Sequence, residues 1–104
     1  IILESKNKGR PILAVGTTST RVLETQVFKN PILKTKSGWT NCFIVPGWNF
    51  NNVDHLLTNF HLPKSTLFLL ISAFAGKKLA KKAYKEAIRK KYRFFSYGDA
   101  MLLL

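Results

Sequence analysis

Within one stretch of this chain an eight-residue run, VDHLLTNF (53–60), is followed five residues later by a longer apolar one, TLFLLISAFA (66–75). The first is of strand length, and Pro63 closes it, because proline has no N–H to give a ladder. The second reads as a helix with Ser65 or Thr66 as N-cap and Gly76 just past its end. Its apolar residues go all round, so it is buried on most faces. A buried strand feeding a buried helix is an α/β signature. The junction itself, TNFHLPKST (58–66), carries Asn59, His61, Ser65 and Thr66, and burial penalises such groups unless they find hydrogen-bond partners. Two uses compete for them: contact with a ligand and helix capping.

The rest of the chain repeats the alternation. Residues up to Asn7 or Lys8 read as a helix, with Gly9 as its stop. PILAVG (11–16) reads as a buried strand, and TTSTRVLETQ (17–26) as a helix with Thr17, Thr18 or Ser19 as N-cap. TNCFIVPG (40–47) reads as a strand stopped by Pro46 and Gly47, and WNFNN (48–52) as a loop. Residues 79–91 form an amphipathic helix in which Leu79, Ala83 and Ala87 share a side with Ala80, Tyr84 and Ile88. RFFSYGDAMLLL (93–104) supplies a last strand. The expected architecture is α/β: a layered, largely parallel sheet with flanking helices, in one domain without repeats or linkers.

Seventeen Lys and Arg against five Asp and Glu give a net charge of +12, which suits a phosphate-rich partner. Lys77, Lys81, Lys85 and Arg89 line one side of the last helix at i, i+4 spacing, either as a solvated face or as a surface for RNA phosphates. Cys42 is the only cysteine, which excludes an internal disulfide and a cysteine-cluster zinc site; it reads as a buried, inert thiol. His55 and His61 have no acidic residue placed to complete a metal triad, and no metal is expected. No secretory signal is visible, and the longest apolar run, residues 67–75, falls short of the roughly 20 residues a bilayer span needs. No membrane association is expected, and a reducing, cytoplasmic setting follows. The chain opens at Ile1 in what reads as mid-helix, which points to a piece of a longer protein.

Three stretches carry candidate chemistry. GTTSTR (16–21) sets backbone N–H groups and hydroxyls at a strand-to-helix turn, where anions are attracted; Thr17, Thr18 and Arg21 are the candidates, and capping is the competing explanation. His61 stands at a strand's C-terminal end, the edge where parallel α/β sheets gather ligands, as an acid-base group or as a structural histidine. YRFFSYGDA (92–100) sets Arg93, Ser96, Tyr97 and Asp99 among aromatics. Asp99 suits a turn, a ribose hydroxyl or a general base.

Four motifs, AVGTTSTR, GWTNCFIVPGW, VDHLLTNFHLPKSTLFLLISAFAG and YRFFSYGDAM, stand here in the order seen in one family. From about residue 9 to its end the chain closely resembles the C-terminal part of the S-adenosylmethionine:tRNA ribosyltransferase-isomerases of queuosine biosynthesis. Asn41, Cys42 and the lysine-rich last helix are mild departures. The resemblance implies that residues 1–104 are the C-terminal part of an α/β catalytic domain, with the family's N-terminal part and inserted β-barrel domain absent. It implies S-adenosylmethionine as a substrate and, as partner, a tRNA with 7-aminomethyl-7-deazaguanine at the wobble position. The ribosyl group would be transferred and isomerised to give epoxyqueuosine, with adenine and methionine released. The resemblance favours polar groups of TNFHLPKST lining the active-site edge. Candidate catalytic residues are His61, Asp99 and Tyr97. Thr17, Thr18, Arg21, Asn59, Ser65, Thr66, Arg93 and Ser96 are candidates for binding substrate, and the lysine face for binding tRNA. A non-catalytic basic RNA-binding module is the rival reading.

Overall fold

The computed structural model describes residues 1–29, 43–62 and 65–104; Cys42 and Pro63 therefore lie outside the described residues. Helix α1 (Ile2–Asn7) ends as Gly9 predicts. Gly9 takes φ +68°, its N–H donates to the Lys6 carbonyl, and the Arg10 N–H donates to the Ser5 carbonyl, a Schellman stop. Strand β1 (Leu13–Val15) leads through Gly16 into α2 (Thr17–Lys29), and β2 (His55–Asn59) leads towards α3 (Thr66–Ala75). Helix α4 (Lys77–Arg89) follows at once, and β3 (Ala100–Leu103) closes the chain.

The sheet has the order β1-β2-β3. β1 and β2 run parallel with Ala14 opposite Leu56, whereas β2 and β3 run antiparallel with Leu57 opposite Leu102. The α/β class holds, but the sheet is mixed rather than largely parallel. Register assigns the faces. Ala14, Leu56, Thr58, Met101 and Leu103 point to the core, where Leu70 and Ile71 of α3 and Ala80, Tyr84 and Ala87 of α4 join them. The opposite face keeps Leu13, Val15 and Leu102 exposed, so the described helices flank one side only.

Two further expectations fail. Residues 43–45 are irregular chain rather than a strand: Ile44 is buried, but Phe43 and Val45 on either side of it are exposed, and the chain turns at once through Pro46 and Gly47. The Val45–Trp48 stretch closes a turn, with Trp48 N–H on the Val45 carbonyl and Gly47 at φ +100° after Pro46. On α4 the buried stripe is only Ala80, Tyr84 and Ala87; Leu79, Ala83 and Ile88 are exposed. One large ring between two alanines fills the contact with the core and leaves the flanking side chains outside.

Candidate active site

Parallel β1 and β2 bring their C-terminal ends to one edge, and antiparallel β3 starts at that same edge. The Gly16 N–H donates to the Leu57 carbonyl, and the Phe60 N–H donates to the Asp99 carbonyl, so three chain segments meet there. The edge gathers the start of α2, the Asn59–His61 turn and the 93–99 loop.

His61 is half-buried. Its Nε2 lies 3.0 Å from Thr58 Oγ1, and its backbone N–H donates to the Tyr84 hydroxyl at 3.1 Å. Nδ1 has no partner among the described residues. Burial lowers the imidazole below its ordinary value, and burial pushes the Tyr84 phenol up. A neutral imidazole with one free nitrogen can accept or deliver a proton. Asn59 and His61 do not share a side as a continued strand would require. The strand stops at Asn59, His61 turns back onto buried Thr58, and the Asn59 amide lies 3.5 Å from the Asp99 carbonyl.

The 93–99 loop is drawn tight by Asp99. Its Oδ2 accepts the Arg93 N–H at 2.6 Å, its own N–H donates to the Arg93 carbonyl at 2.8 Å, and Oδ1 lies 3.9 Å from the Arg93 guanidinium. Gly98 is required here, because a Cβ would lie 2.7–2.8 Å from the carbonyl oxygens of Arg93, Phe94 and Phe95. Phe95 and Tyr97 take φ +68° and +60°. Such left-handed backbone costs non-glycine residues about 1–2 kcal/mol each and persists only where the surroundings enforce it. Tyr97 and Ser96 project outward and are exposed.

Ser65, not Thr66, caps α3: its Oγ accepts the Phe68 N–H and donates to the Leu62 carbonyl at 2.7 Å. Thr66 is exposed. Neither Thr17 nor Thr18 precedes α2; Thr17 is its first residue, half-buried, and Thr18 is exposed. Thr20, fully buried, sends both its N–H and its hydroxyl to the Gly16 carbonyl. Arg21 is half-buried one turn into the helix. Lys77, Lys81 and Lys85 are exposed, but Arg89 is engaged by Glu86 through two hydrogen bonds.

Sequence reading missed Glu24, which is 1% exposed. Its carboxylate accepts the Trp48 indole N–H and the Asn51 N–H on one oxygen, and the Asn52 and Val53 N–H groups on the other. It fixes α2 to the loop that leads into β2. A lone acid one turn after Thr20, with an Asn-rich loop downstream, is the only trace of this in the sequence. At the opposite end of the sheet, Lys6, Arg10, Asp54 and His55 help line a shallow hollow of about 460 Å³, away from the strand-end groups. Among the described residues no three His, Cys, Asp or Glu side chains gather to hold a metal, and no helix is long and apolar enough to cross a membrane.

The fold and its edge therefore define an α/β unit with a polar, imidazole-bearing strand-end site. The chain belongs to the queuosine biosynthesis protein family, whose family model matches residues 1–103. A protein of Halothermothrix orenii named S-adenosylmethionine:tRNA ribosyltransferase-isomerase is 59% identical over 103 residues, covering 99% of this chain and 30% of that protein. A protein of the same name from Thermoanaerobacter sp. is 56% identical with the same coverage. The crystal structure of S-adenosylmethionine tRNA ribosyltransferase from Thermotoga maritima superposes with a TM-score of 0.92 at 50% identity, covering 99% of this chain and 36% of that one. The chain thus spans about 30% of the length of the curated relatives it matches.

Proposed function

We propose that this chain is the C-terminal part of the catalytic domain of a tRNA-modifying enzyme, a ribosyltransferase-isomerase that uses S-adenosylmethionine as ribosyl donor. The acceptor is 7-aminomethyl-7-deazaguanine at the tRNA wobble position, and the products are epoxyqueuosine in tRNA, adenine and methionine. The observation that carries this reading is the match along 99% of the chain, at 59% identity, to a relative bearing that enzyme name. The remaining chain, an inserted β-barrel domain included, would pack on the sheet face that exposes Leu13, Val15 and Leu102.

The reaction needs a base near the sulfonium-activated C5′, an acid for the departing adenine and shielding from water. In this reading His61 moves the proton through Nδ1, while Thr58 fixes its other nitrogen and Tyr84 fixes its backbone. Asp99 serves as the clasp that sets Arg93 and Asn59 at the site, because its carboxylate already accepts the Arg93 N–H. Thr17, Thr18 and Arg21 at the start of α2 face the methionine carboxylate or a phosphate. Ser96 and Thr66 complete the polar rim, and Lys77, Lys81 and Lys85 approach tRNA phosphates.

The test is to incubate the full-length protein with S-adenosylmethionine and tRNA carrying the deazaguanine, and to separate the products by chromatography. Adenine and methionine should appear in equal amounts and only when both substrates are present. RNA binding without adenine release would favour the rival reading, a basic RNA-binding module.

A further inference from the structure

Between the end of α4 and β3 the chain reads KKYRFFSY (90–97), with three cations and four aromatics interleaved. The structure sorts these aromatics by destination. Phe94 stacks on Phe60 at 5.5 Å and anchors the loop to the core, Tyr92 meets the same ring edge-on at 5.8 Å while staying 46% exposed, and Phe95 is 55% exposed. Tyr97 goes furthest: it is 100% exposed. An aromatic side chain normally gains by burial, and nothing in its local backbone preference holds it outward, since its φ of +60° is disfavoured for any residue with a Cβ. What enforces the display is the Asp99–Arg93 clasp, the Phe95 N–H on the Phe60 carbonyl, and the close packing of three carbonyls against Gly98. The ring is therefore held out in advance by a strained loop that also carries exposed Arg93 and is tied at Phe95 and Asp99 to Phe60, the residue that follows β2.

We propose that Tyr97 is a stacking platform for an RNA base, placed beside the strand-end site and flanked by cations that hold the neighbouring phosphates. Every base offers a π-face, and a rigid exposed ring takes it at little cost in conformational freedom. This role replaces a catalytic one for Tyr97 and rests on the reading of the protein as a tRNA-modifying enzyme.

The test uses the full-length protein and an unmodified tRNA transcript in equilibrium binding across a salt series. Tyr97→Ala should weaken binding about five- to a hundredfold, the range expected for one stacked base. Tyr97→Phe and Tyr97→Trp should keep affinity within about threefold. Because stacking carries no charge, the slope of log K against log salt should not change. S-adenosylmethionine binding and the melting temperature should match those of the wild type. Unchanged tRNA affinity in Tyr97→Ala overturns the proposal. So does a loss that Tyr97→Phe fails to restore, which would assign the hydroxyl, or one accompanied by a lower melting temperature, which would mean that Tyr97 packs against protein. Wild-type protein that binds tRNA without releasing adenine would sink the proposed reaction and leave this comparison intact.

Discussion

Glu24 and His61 are both polar groups drawn into the protein, and their surroundings give them opposite characters. Glu24 accepts four N–H donors, three of them backbone groups of residues 51–53, so its removal strands donors that burial then penalises. Glu24→Ala should lower stability by about 3 kcal/mol or more, and Glu24→Gln, which keeps one acceptor oxygen, by less. Urea denaturation measures this, and a loss below about 1 kcal/mol would mean that water replaces the carboxylate. His61 instead has an Nδ1 without a partner among the described residues, and burial lowers its imidazole. At pH between that lowered value and the unfolded value of about 6.5, the unfolded chain binds more protons than the fold. The stability linked to His61 is therefore complete above about pH 6.5 and is lost as pH falls through the lower folded value. Between pH 7.5 and 5 the melting temperature should fall further for wild type than for His61→Gln. Parallel falls would assign the acid sensitivity to other groups.

Among the elements, α4 separates its duties cleanly. Ala80, Tyr84 and Ala87 hold it to the core, and Tyr84 also accepts the His61 N–H, while Lys77, Lys81 and Lys85 face outward. Charge reversal at Lys81 and Lys85 should weaken tRNA binding and flatten the salt slope by roughly 1 to 2, about one unit for each phosphate no longer neutralised. An unchanged slope in filter binding would make this a solvated face. Arg89 is less available to a phosphate than the spacing alone suggests, because Glu86 holds its guanidinium. All seven elements among the described residues were legible from apolar run length, caps and glycine stops: Gly9, Ser65 and Gly76 sit where those rules put them. The strand expected over residues 40–47 does not form at 43–45, because an apolar run reports burial, which Ile44 has, and not whether a partner strand lies alongside. The antiparallel entry of β3 was equally hidden. It depends on a loop that reverses through Lys91, Phe95 and Tyr97 in left-handed backbone, positions that no glycine marks.

At the scale of the whole molecule, the strand-end edge was legible as a place, since strand, polar turn and helix cap recur twice in the sequence. Its internal pairing was not. That His61 meets Thr58 rather than sharing a side with Asn59, and that Asp99 closes its own loop, depend on where β2 stops and β3 begins. The chain spans about 30% of its curated relatives, so the activity has to be measured on the full-length protein. The most direct measurement is the steady-state kinetics of ribosyl transfer to tRNA by full-length wild type and His61→Ala, with melting temperatures alongside. If His61 transfers a proton, as proposed, its loss should lower kcat/KM by roughly a hundredfold or more with little change in melting temperature, since the Ser65 cap and the Tyr84 hydrogen bond to the backbone are left in place. Near-normal kinetics together with a large drop in melting temperature would contradict this, and would make His61 a structural partner of Thr58.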